Sequence, residues 1–130
     1  MGTAVLGQYN EVLGVDLELE AIHFARGFYP WIPFWCNDVT TVALPKVDVV
    51  VAIEMLEHVT DASAVAARLA KLAPTIWLST PNRAGREQLH DHRHVREYYP
   101  DEIREMFPAF DCAAVLEAEG SVLYRMELDL

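Results

Sequence analysis

Val-Asp-Val-Val-Val-Ala-Ile-Glu-Met-Leu-Glu-His, from Val47 to His58, is the stretch on which the reading of this chain turns. Five apolar residues, Val49 to Ile53, follow a lone Asp48 and run into Glu54 with no turn signal between. That pattern predicts a strand buried on both faces, of the kind found inside a parallel sheet. Glu54, Glu57 and His58 then arrive within five positions. Ligands bind at the C-terminal edge of a parallel α/β sheet, so this strand delivers chemistry to such an edge.

Composition narrows the classes. The chain has 130 residues, 52% of them hydrophobic, with three Trp; that is enough for one cored domain over residues 1–130 and excludes a disordered chain. A net charge of −10 argues against a broad electrostatic footprint on nucleic acid. A local basic patch around Arg83, Arg86, Arg93 and Arg96 is the exception that the composition allows. Cys36 and Cys112 stand apart with no zinc spacing and read as buried small hydrophobes in a reducing compartment. No apolar run reaches the roughly 20 residues of a membrane span, and no signal peptide opens the sequence. The expectation is a soluble, cytoplasmic protein.

Working outward from Val47, the residues before it suggest a short helix over 1–9 and a strand from Glu11 to Val15 closed by Asp16. A helix is predicted from Leu17 to Phe28, with Leu17, Ala21, Ile22, Phe24, Ala25 and Phe28 at helical spacing. A strand over Phe34–Cys36 ends at Asn37-Asp38. After the central stretch, Thr60 or Asp61 can cap a helix carrying Val65, Leu69 and Leu72, which ends before Pro74. Thr75 to Ser79 is the next strand, and Pro100 suits the first turn of a helix carrying Ile103, Met106 and Phe107. Cys112–Glu117 and Val122–Leu128, separated by Glu119-Gly120-Ser121, predict a closing antiparallel hairpin. Alternating strands and helices predict an α/β fold, and right-handed crossovers reduce it to a doubly wound, mostly parallel sheet.

Asp16 ends the first of these strands, where doubly wound folds hydrogen-bond a ribose hydroxyl pair; it equally suits the cap of the next helix. Asp38 has the same two readings, contact with a base amino group or capping of a turn. If a helical turn begins after Ile53, Glu54, Glu57 and His58 share one face. Two carboxylates and an imidazole suit Mg²⁺ or Mn²⁺, with a further ligand available from His90-Asp-His-Arg-His94. Acidic residues in a first helical turn also meet the helix dipole favourably without any metal. Tyr98 and Tyr99 read as packing groups at a helix start.

Four segments together resemble class I S-adenosylmethionine-dependent methyltransferases. Val12-Leu-Gly-Val-Asp-Leu-Glu-Leu-Glu-Ala-Ile-His-Phe-Ala-Arg26 is similar to their second-strand motif, and Val49 to Val59 to their fourth. Leu78-Ser-Thr-Pro-Asn-Arg83 resembles the fifth, and His94-Val-Arg-Glu-Tyr-Tyr-Pro-Asp-Glu-Ile103 a segment that follows. The resemblance implies a Rossmann-like fold with Asp16 on the ribose, Leu17 against the adenine and Asp38 at its amino group. The family's first strand and glycine-rich loop have no counterpart except Gly2, which matches the last loop glycine. The resemblance therefore implies weak or absent binding of S-adenosylmethionine.

It also implies unpaired sheet edges, closed by direct pairing of the flanking strands, by a homodimer, or by a partner chain. Glu-x-x-Glu-His recurs in O-methyltransferases of this family that act on a hydroxyl of a small molecule, sugar or RNA 3′ end. By that likeness Glu54, Glu57 and His58 are the catalytic group, and with His94 they hold a divalent metal. The competing expectation is a non-catalytic binding or assembly module that has lost the cofactor.

Overall fold

The computed structural model describes residues 2–84 and 93–129, which form two compact units, Met1–Leu44 and Pro45–Leu130. His90, Asp91, His92 and Arg86, named above, lie outside the described residues.

In the first unit, α1 (Gly2–Leu6) is followed by β1 (Gly14–Asp16), α2 (Leu19–Phe28) and β2 (Phe34–Cys36). β1 and β2 pair in parallel, with Gly14 opposite Phe34 and Asp16 opposite Cys36. Their short core is Ile22, Ile32 and Phe34, with Ala4, Val12, Ala25 and Tyr29 packed on it. The Arg26 guanidinium ties α2 to β2 by donating to the Phe34 carbonyl at 2.7 and 3.2 Å. Gly14 is required by space: a Cβ there would sit 2.4 Å from the Phe34 ring. Gly14→Ala is therefore expected to destabilise this unit by about 1–3 kcal/mol through overpacking. An unchanged denaturant midpoint would show that the ring yields freely.

In the second unit, β3 (Val49–Ile53) leads through a 3₁₀ turn (Leu56–His58) to α3 (Ala62–Leu72) and β4 (Thr75–Pro81), then α4 (Pro100–Met106), β5 (Phe110–Ala118) and β6 (Ser121–Leu128). The sheet order is β3-β4-β6-β5, with β3 and β4 parallel and β6 antiparallel to both of its neighbours. The fold is thus mixed α/β, with parallel pairs from the alternating part and antiparallel pairs from the closing hairpin. Glu119 and Gly120 both take positive φ, 53° and 80°, the geometry a two-residue hairpin turn demands. Asp61, not Thr60, caps α3, accepting from the Ala64 amide at 3.0 Å. Leu69, Ile76, Leu78, Ile103, Phe107, Tyr124 and Met126 form the buried interior.

Three local expectations need correction. β3 is not buried on both faces: Val49, Val51 and Ile53 remain 46%, 44% and 54% exposed. It is the end strand of its sheet, and β4 is the deeply buried one, with Ile76, Leu78, Ser79, Thr80 and Pro81 all buried. Cys36 and Cys112 are half-buried thiols rather than core residues. Of the tyrosine pair, Tyr98 is buried beneath the Arg96 guanidinium, which lies 5.1 Å from its ring centre, while Tyr99 is exposed.

Candidate functional site

The chemistry-bearing residues of the second unit gather where β3 ends. Glu54 takes φ 49°, a left-handed conformation uncommon for a residue with a side chain. Several bonds hold it there. Its amide donates to the Ser79 carbonyl at 3.0 Å and to Ser79 Oγ at 3.2 Å. Its carboxylate accepts from Ser79 Oγ at 3.3 Å and from Ser121 Oγ at 2.5 Å. Glu54 therefore laces β3 to β4 and β6.

This reversal of the backbone breaks the expected arrangement. The helical turn begins only at Leu56 and is a 3₁₀ turn, so Glu54 does not share a helical face with Glu57 and His58. Leu56 is wholly buried and anchors the turn. The same turn carries the Glu57 side chain inward, to 1% exposure, and leaves His58 43% exposed.

Glu57 Oε2 accepts from Thr80 Oγ1 at 3.3 Å, whereas Oε1 has no hydrogen-bond partner among the described residues and faces His58 Nε2 at 3.9 Å. Burial, more than any neighbour, raises the Glu57 carboxyl above its ordinary range, and the Glu54 charge adds to the rise. His94 comes from a distant segment. The Glu57 carbonyl accepts from the amides of Val95 and Arg96 at 2.7 and 3.4 Å, which pins that segment to the turn. The His94 and His58 rings meet edge to face with centres 4.8 Å apart. Ligand atoms of Glu57, His58 and His94 lie within 4.8 Å of one another.

Two residues of this cluster were not legible as site residues in the sequence. Buried Glu97 holds His94 through a 2.5 Å contact between Nδ1 and Oε2, an arrangement that leaves Nε2 as the acceptor. An acid three residues after a histidine was the available signal. Thr80 orients the Glu57 carboxylate; nothing in its strand context marked it out. Of the basic patch, Arg96 is ion-paired with Glu102 as well as stacked on Tyr98.

In the first unit, Asp16 Oδ1 accepts from the Glu18 amide at 2.9 Å. The N-cap of α2 is Glu18 itself, so Asp16 is not the helix cap but the acceptor of an Asx turn just ahead of it. Its second oxygen has no bonded partner among the described residues. Leu17 beside it is 70% exposed. Asp38 Oδ1 accepts from both the amide and the hydroxyl of Thr40, at 2.8 and 2.6 Å, and the hydroxyl bond, followed by the amide bond, lowers its carboxyl pKa. A cleft of about 280 Å³ opens beside Asp16, lined by Thr3, Ala4, Gly14, Phe24, Tyr29 and Phe34 among others. Gly2 lies within α1, and a Cβ there would meet nothing within 4 Å, so no close approach of other protein atoms accounts for that glycine.

Parallel βα units followed by an antiparallel hairpin are the architecture of a Rossmann-like α/β fold. Residues 2–73 match the family described as "Methyltransferase domain"; the chain belongs to the class I S-adenosylmethionine-dependent methyltransferases. Similar solved structures include the N-terminal domain of EvdMO1 with SAH bound, with a TM-score of 0.78, 16% identity and coverage of 98% of this chain and 69% of that one. The PH0226 protein from Pyrococcus horikoshii OT3 is alike at TM-score 0.78 and 16% identity, over 98% of this chain and 76% of that one. The 1,6-didemethyltoxoflavin-N1-methyltransferase of Burkholderia thailandensis, bound to 1,6-didemethyltoxoflavin and S-adenosylhomocysteine, is similar at TM-score 0.69 and 21% identity, over 98% of this chain and 66% of that one. A comparison with curated protein sequences finds no match. Among the described residues, no helix is long and apolar enough to cross a membrane.

Proposed function

We propose that the chain is an O-methyltransferase-type domain that takes the adenosine half of S-adenosylmethionine at Asp16, Leu17 and Asp38. Its acceptor hydroxyl would be activated at Glu57, His58 and His94. The observation that carries this reading is the buried Glu57 carboxylate, whose unpartnered Oε1 faces an imidazole. A buried polar atom without a partner is rare and calls for a partner such as a water, an ion, a proton or a ligand group.

The residues fit the adenosine half of the cofactor. Asp16 is oriented through one oxygen and offers the other to a ribose hydroxyl; exposed Leu17 offers an apolar surface for the base. Asp38 keeps one oxygen for the base amino group. When bound, the cofactor supplies an electrophilic methyl group on a sulfonium. The chain's own task is to make the acceptor oxygen nucleophilic. His58 Nε2 is placed to take the hydroxyl proton, and the Glu57 carboxylate, 3.9 Å away, stabilises the resulting imidazolium.

A divalent ion fits the same cluster and, when bound there, would replace His58 as the group that activates the hydroxyl. One carboxylate and two imidazoles favour Mn²⁺ over the all-oxygen preference of Mg²⁺, and the Glu97 carboxylate behind His94 is the usual support of a metal-binding histidine. An ion there would lower the pKa of a coordinated hydroxyl. Glu54, committed to Ser79 and Ser121, stands outside this donor set.

One observation favours a second reading, a binding module without catalysis. Gly2 sits inside a helix with open space around it, so its own surroundings give it no ligand-cradling role. Calorimetric titration separates the two. If Asp16, Leu17 and Asp38 carry the binding, adenosine is expected to bind about as well as S-adenosylmethionine, and Asp16→Ala to weaken both alike. Binding of S-adenosylmethionine far tighter than of adenosine would show that the methionine half is held after all. No heat from either ligand would favour the non-catalytic module.

A further inference from the structure

Glu54 and Glu57 hold opposite faces of β4. Successive residues of a strand point to opposite faces, so Ser79 and Thr80 project on the two sides of the sheet. The Glu54 carboxylate accepts from Ser79 Oγ and from Ser121 Oγ. Ser121 shares the Ser79 face, because Leu123, two residues on in β6, is the register partner of Ser79. The Glu57 carboxylate accepts from Thr80 Oγ1 on the other face, where Val122, the partner of Thr80, is also buried. The chain from Glu54 to Glu57 therefore passes round the end of β3 from one face to the other. An extended residue 54 would point to the side of buried Ala52, away from Ser79. The left-handed backbone at Glu54, φ 49°, redirects it; the other positive-φ residues described, Glu119 and Gly120, belong to the hairpin turn.

We propose that Glu54 is a positioning residue: its carboxylate, fixed between Ser79 and Ser121, holds the left-handed turn that delivers Glu57 to Thr80 and His58 to the His94 ring. A side chain disfavours this conformation, whereas glycine adopts it readily, so at Glu54 it has to be held. The amide bond to the Ser79 carbonyl is open to any residue at this position; the two carboxylate bonds are what glutamate adds. Ser121 lies 67 positions along the chain, and the Gly120 carbonyl beside it accepts from the Asn82 amide at 2.8 Å. The hairpin is thereby tied to the ends of both β3 and β4, and it acts on the site through Glu54. That Glu57, His58 and His94 do chemistry rests on the function proposed above; the turn itself is testable without metal or cofactor.

In chelator, the ring protons of His58 and His94 in the whole chain are expected to show a nuclear Overhauser cross-peak, since the rings meet edge to face. Glu54→Gln keeps a polar partner for each serine hydroxyl and should keep both the cross-peak and the wild-type affinity for Mn²⁺, measured by calorimetry. Glu54→Ala should lose the cross-peak and bind Mn²⁺ roughly tenfold more weakly. Glu54→Gly also lacks the carboxylate but accepts the positive φ, and should stay closer to wild type than Glu54→Ala. Ser121→Ala should weaken the cross-peak and the affinity by itself, yet change nothing further in the Glu54→Gly background. Equal losses of affinity in all three Glu54 variants with the cross-peak intact would make Glu54 a metal ligand and overturn the proposal. A lowered urea midpoint with cross-peak and affinity unchanged throughout would overturn it too. If wild type binds no Mn²⁺, the metal reading fails by itself and the cross-peak decides: its loss in Glu54→Ala supports the proposal and its persistence overturns it. If Glu54→Ala does not fold, Ser121→Ala with and without Glu54→Gly gives the same decision.

Discussion

Glu57→Gln is expected to abolish the thermal response of this protein to manganese and to remove its loss of stability with rising pH. Burial raises the Glu57 carboxyl above the ordinary value of 4.5, so the folded chain keeps this proton to higher pH than the unfolded chain does. Where the folded state binds more protons, stability falls as pH rises. The Glu57 contribution is thus fully present below the unfolded value and is lost as pH climbs through the raised folded value. In chelator, wild type should lose melting temperature across that window. Glu57→Gln retains the shape and can accept from Thr80 Oγ1, so it should lose less and melt higher than wild type near neutrality. With Mn²⁺ the order reverses. An ion bound to the native state at a hundred times its dissociation constant stabilises by about 2.7 kcal/mol, which wild type should show, His94→Ala should show weakly and Glu57→Gln should not. Identical shifts in all three proteins would place the ion elsewhere, and no shift in any would leave Glu57 to proton chemistry alone.

The second large effect is expected one residue earlier. Leu56→Ala removes a wholly buried side chain and should destabilise the second unit by about 2–5 kcal/mol. Because Leu56 holds the 3₁₀ turn that carries Glu57 and His58, the variant should also blunt the manganese response while every donor group remains. Urea denaturation and the metal-dependent melting curve measure the two effects. A stability loss with an intact metal response would show that the Val95 and Arg96 amides, bonded to the Glu57 carbonyl, hold the turn by themselves.

Much of the fold was legible because it rests on local signals. Phe34–Cys36 was bounded by Pro33 and Asn37-Asp38 and stands as a strand over the same residues. α3 ends before Pro74, as its periodicity and that proline require. The hairpin followed from Glu119-Gly120, where glycine tolerates the positive φ that the turn needs. The resemblance across four ordered motifs identified the family because it drew on residue types spread along most of the chain.

What local pattern alone could not supply was burial and partnership. The apolar run Val49–Ile53 signals a strand, but an apolar sequence does not say how many neighbours that strand has; in the structure it is an end strand with an open row of side chains. The spacing of Glu54, Glu57 and His58 suggested a common helical face. Ser79 and Ser121, 25 and 67 positions away in sequence from Glu54, instead hold it in a left-handed turn, and hydrogen bonds over such separations have no trace in local periodicity. The residue types at the site, its place after β3 and the family were therefore determined by the sequence itself. Which groups meet there was decided by tertiary structure: β4 brings Thr80 to Glu57, and the segment before α4 brings His94 with Glu97 behind it, because only a folded chain sets the distances over which charges and hydrogen bonds act.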